Sequence, residues 1–528
     1  MIRKVSLILV MACAGTLASA APFQYRVPSG KGTASLWIPP KAVTLRGVML
    51  MGQLGIEAEL LKSEVVRSAC EEAGIGIIYF STHISGTFKY WTDDNVGTVL
   101  LQALTDLARA SGHPEVRRVP WITAGHSTAG IYCRNVAYWQ PGRTAGIFHI
   151  KSGNFWQADN KPPAPASITG IPLVSVNGGL ETFGPASGID PAYGRETQWV
   201  YAQRDLQRFR AEDPQHLVAE VVDPGNDHFH GDSELYEFCA LFLKKTAQYR
   251  LPVLPLPAGD NPVPPRSVKA EDGVLIDPDY KKPAIPTAPY NAYTGNKSEA
   301  MWFYDLETAD AARRWMRNLG NHQCVTGPTL TWVDEGDGWE FTAKSQYLDQ
   351  MPTNFNQGAT GPFTDMKVGH ADAPILYRAK VNEPVTQIAP DRFRVEHQNM
   401  GRKGSEPVNM AAYSPGDDKV RATIRFSTLA IPALKGAKQV ITFPPMSEVK
   451  VGDLPVTLGA SASSGLSVCY EVDYGPLAVK DGKLVVSDMP VAPVFPFECK
   501  VTAFQLGRRT GTIVESAAPV SATFKLVK

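Results

Sequence analysis

The sequence predicts an α/β domain, with a mostly parallel sheet and helices on both faces, followed by two all-β, sandwich-like domains. Three observations lead to this prediction. Short apolar runs alternate with amphipathic helical stretches over residues 21–250, prolines accumulate over 251–290, and short β-prone runs separated by Gly, Asp and Pro fill the remainder. At 528 residues the chain is also too long for one ordinary core, which favours several domains.

The α/β part begins with two runs that predict an antiparallel pair of strands, at residues 23–27 and 34–38. Further buried strands are predicted at 47–51, 75–80, 120–124, 145–150, 173–176 and 218–222. Helical periodicity predicts the intervening helices at 57–73, 95–110, 129–138, 196–210 and 233–249. Because the strand–helix–strand order repeats with short connections, we expect a largely parallel sheet with right-handed crossovers.

The pattern changes after residue 250. Residues 251–266 hold six prolines and predict a stiff, extended start to a linker that we place at 251–290. A β-rich accessory domain is predicted at 291–436, with one helix at 305–318 and strands at 329–333, 339–343, 375–381, 393–397 and 420–426. From Gln439 the chain reads QVITF and then GDLPVTLGASASSGLSVCY. This stretch resembles bacterial immunoglobulin-like repeats, which implies a β-sandwich accessory domain over 437–528.

The charge balance and the N-terminal sequence limit the possible binding partners and the cellular compartment of the protein. Lys and Arg number 52 and balance 52 Asp and Glu, so no net positive charge attracts phosphates, and we expect neither nucleic acid nor a membrane as partner. Residues 1–20 combine Arg3 and Lys4, a short apolar run and the small residues Ala18, Ser19 and Ala20, the pattern of a cleaved export signal. We therefore expect a secreted or periplasmic protein. The apolar run is too short to span a bilayer.

The clearest chemical motif is PWITAGHSTAG at residues 120–130. An apolar strand runs into Gly-x-Ser-x-Ala-Gly and a helix follows at once, which is the setting of a nucleophile elbow that exposes the hydroxyl of Ser127. Over about residues 21–250 the chain here resembles the α/β-hydrolase superfamily, although Ala129 stands where the usual motif has glycine. The resemblance implies the α/β-hydrolase fold and a serine esterase with the chain order Ser, acid, His.

A serine hydroxyl needs a general base and an orienting acid. His228 directly follows the last predicted strand of the α/β part, where this fold carries its catalytic histidine, and His230 is the alternative. Glu181 follows the preceding strand in a strand–Gly-x-x-acid pattern and is the predicted acid, with Asp190 as the alternative.

The remaining predicted site residues surround this triad. The backbone N–H groups of Thr128 and Gln53 are the expected oxyanion donors. The connection at 151–170 is short and rich in Pro and Ala, so we expect no helical lid and an open site. Four aromatic residues fall in loops expected at the rim and are predicted to bind substrate: Tyr90, Trp91, Phe155 and Trp156.

Six cysteines follow the predicted signal, and none has metal-ligand spacing. Two disulfide pairs are suggested. Cys469 and Cys499 both lie in strand-like runs of the last domain. Cys70 and Cys239 lie on helices that would share one face of an α/β-hydrolase sheet.

These features predict an exported carboxylic-ester hydrolase that removes acetyl or feruloyl groups from polysaccharide through a Ser-His-acid triad and an acyl-enzyme. A polyester or lipid esterase, such as a polyhydroxyalkanoate depolymerase, uses the same triad and is one alternative. A non-catalytic binding protein on a hydrolase scaffold is the other. No Gly-rich phosphate loop, zinc-ligand cluster or dinucleotide fingerprint is present in the sequence, so we expect no cofactor and no metal.

Overall fold

The computed structural model describes part of the chain. The described residues are 19–528 except 53–54, 82–87, 94, 154–161, 180, 182–187, 191–194, 227, 280–283, 317–322, 350–367, 381–382 and 397–406. Most of the predicted export signal, and with it Arg3 and Lys4, therefore lies outside the described residues. The same is true of Gln53, Phe155 and Trp156.

The α/β part is built on one large sheet. The strands up to residue 223 are β1 (Ser19–Ala20), β2 (Tyr25–Ser29), β3 (Gly32–Trp37), β4 (Gly47–Met51), β5 (Ile75–Phe80), β6 (Trp121–His126), β7 (Thr144–Ile150), β8 (Leu173–Gly178), β9 (Gly188–Asp190), β10 (Arg195–Thr197) and β11 (Val218–Asp223). Of these, β9 and β10 form a separate two-stranded sheet. Among the described residues the large sheet has eight strands in the order β2-β3-β5-β4-β6-β7-β8-β11. The first two pairs are antiparallel and every later pair is parallel. The parallel strands are buried along almost their whole length because helices cover both faces of the sheet.

The helices alternate with these strands. They are α1 (Ile56–Leu60), α2 (Glu64–Ala73), α3 (Asn95–Ser111), α4 (Thr128–Trp139), α5 (Gln198–Glu212) and α6 (Ser233–Tyr249). The single helix predicted at 57–73 is wrong, since two helices occupy this range. The helix is interrupted at residues 61–63. Ser63 has an extended backbone and is the N-cap of α2, a position that serine favours.

Two hydrophobic clusters lie on the two faces of the sheet. One contains Val66 of α2 and Phe242 of α6, and the other contains Leu104 of α3 and Val136 of α4. Side chains of the intervening strands point alternately into the two clusters, as the two-residue period of a strand requires. The predicted mostly parallel α/β architecture with helices on both faces is therefore confirmed.

The described residues between 251 and 316 run along this core. The N–H of Val263 donates to the carbonyl of Arg118, which holds the proline-rich segment on the surface of the α/β part. The next elements are β12 (Val274–Ile276), β13 (Ala288–Pro289), β14 (Met301–Phe303) and α7 (Leu306–Trp315). The strands form one small sheet, and Trp302 and Phe303 share the hydrophobic cluster of α2 and α6. This unit therefore packs on the α/β core and bridges the predicted boundary between 290 and 291.

The rest of the chain is rich in β-strands, as predicted. Residues 324–429 contain β15 (Cys324–Val325), β16 (Thr329–Val333), β17 (Glu340–Lys344), β18 (Tyr347–Leu348), β19 (Leu376–Ala379), β20 (Val385–Ala389), β21 (Arg392–Val395), β22 (Val408–Ser414) and β23 (Thr423–Leu429). Two of the sheets here have the orders β16-β17-β21-β20 and β19-β22-β23. One hydrophobic cluster contains Phe341 of the first and Met410 of the second.

The last region also contains several sheets. Its strands are β24 (Ile441–Thr442), β25 (Glu448–Lys450), β26 (Val456–Thr457), β27 (Ser461–Ala462), β28 (Cys469–Tyr474), β29 (Leu477–Lys480), β30 (Lys483–Val486), β31 (Phe497–Phe504) and β32 (Val520–Val527). They form sheets with the orders β25-β32-β31-β28 and β1-β29-β30-β26, and β24 pairs with β27. The N–H of Gly475, between β28 and β29, donates to the carbonyl of Phe23, so the last region is joined by a main-chain hydrogen bond to the start of the α/β part.

The described cysteines are free thiols, so both suggested disulfide pairs are wrong. Cys469 lies opposite Phe504 in the β28–β31 pair, and Cys499 is five residues further along β31. At about 3.4 Å per residue this places the two Cα atoms far beyond the roughly 7 Å that a disulfide tolerates. Cys70 and Cys239 are buried on α2 and α6, and burial raises the pKa of the Cys70 thiol to about 12.

Across the described residues, every helix is too short or too polar to pass through a lipid bilayer.

Candidate active site

The elbow at Ser127 is a sharp turn between β6 and α4. Ser127 has φ 55° and ψ −121°, in the left-handed half of backbone space that residues with a side chain rarely adopt. Its N–H donates to the carbonyl of Ile150 at 2.9 Å, which ties the turn to the end of β7. The turn leaves Ser127 partly exposed although the strand before it is fully buried.

Two glycines make this turn sterically feasible. A Cβ atom on Gly125 would lie 2.4 Å from the carbonyl oxygen of Ala129, and one on Gly130 would lie 2.4 Å from Oγ of Ser152. Real Cβ atoms do not approach other atoms so closely, and the first contact is with rigid backbone. Ala129, which departs from the usual motif, is fully buried and its methyl group is accommodated without rearranging the turn.

The structure brings Ser127, His228 and Glu181 together. Nε2 of His228 lies 2.9 Å from Oγ of Ser127, and Nδ1 of His228 lies 2.5 Å from Oε1 of Glu181. A carboxylate only accepts hydrogen bonds, so Nδ1 carries the proton and donates to Glu181. Nε2 is then left with its lone pair and accepts the hydrogen bond of the Ser127 hydroxyl. This is the tautomer that a general base for serine requires.

Glu181 is held rigidly in its position. Its side chain is fully buried, and its second oxygen, Oε2, accepts the N–H of Gly178 at 3.0 Å. Its own N–H donates to the carbonyl of Gly178, and its carbonyl accepts the N–H of Gln198. The carboxylate therefore has one oxygen for the backbone and one for the imidazole.

The two alternative residues lie elsewhere. Asp190 ends β9 and faces Arg195 in a two-stranded hairpin. The ring of His230 stacks on Phe426 of β23, with ring centroids 3.3 Å apart and planes 11° apart. Among the described residues, it is Glu181 and His228 whose side chains are hydrogen-bonded in line with Ser127.

The elbow and the histidine loop are further joined by His126. Its Nε2 lies 2.7 Å from the carbonyl oxygen of His228, and because a carbonyl only accepts, this nitrogen carries the proton. The backbone N–H of His126 donates to Oε1 of Glu57 on α1 at 2.5 Å, and Glu57 is fully buried. The segment after β4, which should supply an oxyanion donor, is thereby anchored to the nucleophile turn.

A buried polar network holds the loop that carries His228. Nδ2 of Asn226 donates to both Asp223 and Asp232 at 2.8 Å, and Asp232 also caps α6 by accepting the N–H of Leu235. Nζ of Lys151 lies 3.3 Å from Oδ2 of Asp223. Burial raises the pKa of Asp223 above its usual range, and the Lys151 ammonium opposes this shift. Lys151 also donates to the carbonyl of His230.

The structure describes one of the two predicted oxyanion donors. Thr128 is the first residue of α4, so its N–H has no carbonyl in its own helix to bind. This N–H follows the nucleophile directly, as an oxyanion donor must. Gln53 lies outside the described residues. Gly55, two residues after Gln53, has φ 67° and lies close to the ring of His126.

The predicted rim aromatics are also placed in part. Tyr90 and Trp91 contact each other edge to face at 5.2 Å, and Tyr90 packs partly buried against the cluster of α3 and α4. Phe155 and Trp156 lie outside the described residues. The sequence reasoning missed Phe229, which is 51% exposed and contacts the ring of His228 edge to face at 4.6 Å. Its position next to His228 in sequence was the available signal.

Other residues of the site were missed because nothing local marks them. Glu57, Lys151 and Asn226 resemble ordinary loop or helix polar residues in the sequence, and only the fold buries them beside the triad. No group of three or more His, Cys, Asp or Glu side chains suited to a metal ion occurs in the part of the chain that the structure describes.

No protein-family model and no curated relative matches the chain. It is similar in structure to an alpha-beta serine hydrolase homologue from Coxiella burnetii, with 16% identity over 43% of this chain and 97% of that one, at a TM-score of 0.28. It is also similar to LpqC, a poly(3-hydroxybutyrate) depolymerase from Bordetella parapertussis, with 12% identity over 44% of this chain and 93% of LpqC, at a TM-score of 0.31. A third similar structure is an S-formylglutathione hydrolase from Agrobacterium tumefaciens, with 13% identity over 42% of this chain and 93% of the hydrolase, at a TM-score of 0.31. Such distant similarity assigns neither a family nor a substrate to this chain.

Proposed function

We propose that the protein is an exported serine carboxylic-ester hydrolase that removes acetyl or feruloyl groups from polysaccharide. The hydrogen-bonded series Ser127–His228–Glu181 is the single observation that carries the hydrolase assignment. A strained serine at the end of a buried strand, with an imidazole at 2.9 Å and a buried carboxylate behind it, is the arrangement that acyl transfer to serine requires.

The proposed reaction has two halves. Oγ of Ser127 attacks the ester carbonyl carbon while Nε2 of His228 takes the hydroxyl proton, and the N–H of Thr128 stabilises the oxyanion. The tetrahedral intermediate collapses, the bond to the alcohol breaks, and the imidazolium returns its proton to the leaving alkoxide. Water, deprotonated by His228, then attacks the acyl-enzyme and releases the free acid and Ser127.

Three features support a polymeric carbohydrate substrate and an exported enzyme. The sequence begins with the pattern of a cleaved export signal. The described parts of the connection between β7 and β8, residues 151–153 and 162–172, contain bends and turns and no helix, so a helical lid is absent from these residues. The β-rich regions, which we propose to be sandwich-like and immunoglobulin-like accessory modules, follow the α/β part. A polyester hydrolase with the same triad is the alternative.

The first test replaces the nucleophile. Ser127→Ala should lower kcat for p-nitrophenyl acetate by at least about 1,000-fold, because no other described group takes the acyl chain from this position. Ser167→Ala, at an exposed serine in the β7–β8 connection, is the matched control and should keep wild-type turnover. A fluorophosphonate probe should label the wild type and leave Ser127→Ala unlabelled. Full activity or labelling of Ser127→Ala would refute the assignment.

The second test identifies the ester. Acetylated xylan, feruloylated arabinan and a polyester film are offered to the enzyme, and the released acids are identified by mass spectrometry. We expect acetate or ferulate from the glycans and no hydroxy acid from the film. Release from the film alone would replace the polysaccharide assignment by the polyester alternative.

A further inference from the structure

A small pocket of about 40 Å³ lies between the α/β part and the β19-β22-β23 sheet. The α/β part contributes Glu59 of α1 and the segment from His230 to Tyr236, and the β-rich region contributes Arg378, Lys380 and Phe426. This volume exceeds what one bound water needs and leaves room for a single small polar group. The triad described above does not use this pocket.

Two cations from β19 and its end face this pocket. The guanidinium of Arg378 lies over the ring of Tyr413, 4.7 Å from its centroid, and its Nη2 is buried without a hydrogen-bond acceptor among the described residues. Nζ of Lys380 has Oε1 of Glu59 at 3.7 Å, which is an ion pair too long for a hydrogen bond. A buried guanidinium nitrogen without an acceptor is costly, because it has lost its water without replacement. An anion in the pocket would supply that acceptor.

Three of the four carboxylate oxygens of Glu59 and Asp232 already accept hydrogen bonds. Oε2 of Glu59 accepts the hydroxyl of Tyr236 at 2.5 Å, and burial raises the pKa of Glu59. Asp232 has one oxygen on Asn226 and the other on the N–H of Leu235. Oε1 of Glu59 is buried, and its partner among the described residues is the Lys380 ammonium at 3.7 Å, so an incoming anion would share the charge of Lys380 with Glu59. Nη2 of Arg378 is the donor that remains for the anion.

The pocket adjoins both catalytic loops. His228, which contacts Ser127, is two residues before His230, so their Cα atoms are at most about 7 Å apart. On the other side, Glu59 is two residues after Glu57, whose carboxylate binds the N–H of His126 in the elbow. The pocket therefore borders the loop that carries the general base and the helix that is hydrogen-bonded to the nucleophile elbow.

We propose that this pocket binds a carboxylate of the substrate, and hence that the natural ester is carried on an acidic, uronate-containing glycan. Arg378 and Lys380 hold the carboxylate, and the β-rich region thereby becomes part of the substrate site. A planar guanidinium beside a compact ammonium suits a carboxylate, which accepts from both at once. The ester hydrolysis in this inference rests on the proposed function, whereas the binding of a carboxylate by the pocket does not.

The kinetic test compares acetylated polygalacturonate with acetylated xylan, using the full chain. The double variant Arg378→Gln/Lys380→Gln should lower the ratio of kcat/KM for the acidic glycan to kcat/KM for the neutral one by at least about tenfold, mainly through KM. The control Lys344→Gln/Lys435→Gln removes the same charge from exposed positions and should keep the wild-type ratio. An unchanged ratio in the pocket variant overturns the proposal. An equal fall in the control also overturns it, since general attraction would then explain the preference.

A conservative variant separates binding from folding. Lys380→Arg keeps the positive charge, and we expect it to retain the preference for the acidic glycan, whereas Lys380→Gln loses it. Thermal unfolding of each variant is measured alongside. If Lys380→Arg loses the preference as fully as Lys380→Gln while both remain folded, charge recognition is wrong.

A binding measurement separates this inference from the proposed function. Calorimetry with Ser127→Ala should show binding of oligogalacturonate that Arg378→Gln/Lys380→Gln abolishes, and this outcome supports the pocket even if wild-type protein turns over no ester. Turnover of p-nitrophenyl acetate without any oligogalacturonate binding overturns the pocket and leaves the hydrolase assignment standing. Binding of inorganic sulfate without oligogalacturonate identifies a site for free anions and overturns the glycan assignment.

Discussion

At the scale of single residues, the hydrogen-bonding capacity of each group sets its role. Ser127 is held at φ 55°, a conformation that costs on the order of 1–3 kcal/mol and persists because its neighbours enforce it. The N–H of Ser127 binds Ile150, and Gly125 and Gly130 leave room where a Cβ would clash. The strain points the hydroxyl at His228, so the conformation is explained by the proposed chemistry.

Glu181 provides a sharp test at this scale. Glu181→Gln keeps the size of the side chain, but its amide nitrogen in place of Oε1 would donate to Nδ1 of His228 and force the proton onto Nε2. Nε2 then has no lone pair for the serine proton, and kcat for p-nitrophenyl acetate should fall by about 10,000-fold, with KM changing little. Initial rates over a range of substrate concentrations measure both constants.

The matched control for this prediction is Asp190→Asn, at the alternative acid. Asp190 lies on the β9–β10 hairpin, and its replacement should leave kcat within about twofold of wild type. The opposite pattern, with Asp190→Asn inactive and Glu181→Gln active, would assign the acid to Asp190.

At the scale of elements, the loop between β11 and α6 is shaped by charges that the sheet buries. Lys151 directly follows β7, Asp223 is the last residue of β11, and both side chains are almost fully buried. Asn226 connects Asp223 to Asp232, which caps α6. The position of His228 therefore depends on a network whose members lie on either side of it.

Removing the cation of this network should have a pH-dependent effect. Lys151→Met leaves Asp223 without its ion-pair partner and should lower the free energy of unfolding by about 3–5 kcal/mol near pH 8. A carboxyl with a raised pKa in the folded state binds its proton more tightly when folded. Its favourable contribution is complete below its unfolded pKa of about 4 and is lost as pH rises through the folded pKa. The loss should therefore be smaller at pH 5 than at pH 8, as measured by urea unfolding.

The control for this effect is the neutral pair Lys151→Met/Asp223→Asn. It removes both charges together, so it should recover most of the stability that Lys151→Met loses at pH 8. An equal loss for Lys151→Met at pH 5 and pH 8 would show that packing of the side chain, and not the unpaired carboxylate, is responsible.

The elements that were predictable have strong local patterns. The buried strands were located to within a few residues because apolar runs bounded by turns are a local property. The break between α1 and α2 was missed because apolar residues such as Leu60 and Leu61 continue the helical pattern through it. Ser127 and the loop carrying His228 followed from motif and chain order, whereas Glu57 and Lys151 are functional neighbours only through tertiary contacts.

At the scale of the whole molecule, the β-rich regions are packed on the α/β part and do not hang from a free linker. Lys380 and Phe426 reach the neighbourhood of the active site from the β-rich region. In the last region, Oδ2 of Asp488 binds Nη1 of Arg67 at 3.0 Å and Nε1 of Trp37 at 3.2 Å. No local sequence pattern predicts such contacts, since the residues are hundreds of positions apart.

This packing predicts coupled opening of the two ends of the chain. Asp488→Ala removes the acceptor for Arg67 and should speed amide hydrogen exchange at Gln24 and at Gly475 by about tenfold, equivalent to about 1.4 kcal/mol. Both amides should respond because Gln24 donates to Leu36 beside its side-chain contact with Asp488, and Gly475 donates to Phe23. Peptide-level exchange followed by mass spectrometry measures the two rates.

The control is Lys41→Ala, which removes an ion pair to Glu71 at an exposed position and should leave both rates unchanged. Faster exchange at Gly475 with no change at Gln24 would mean that the last region opens without disturbing the start of the chain.

The joining of the two ends also orders events during biosynthesis. Gln24 donates to the carbonyl of Asp488 across a separation of 464 residues. A ribosome adds about 5–20 residues per second, so Gln24 waits roughly 20–90 s before its partner has been made. Until then the outer edge around β2 lacks the cover that the final region gives it, and a chaperone that shields nascent chains has that interval in which to act.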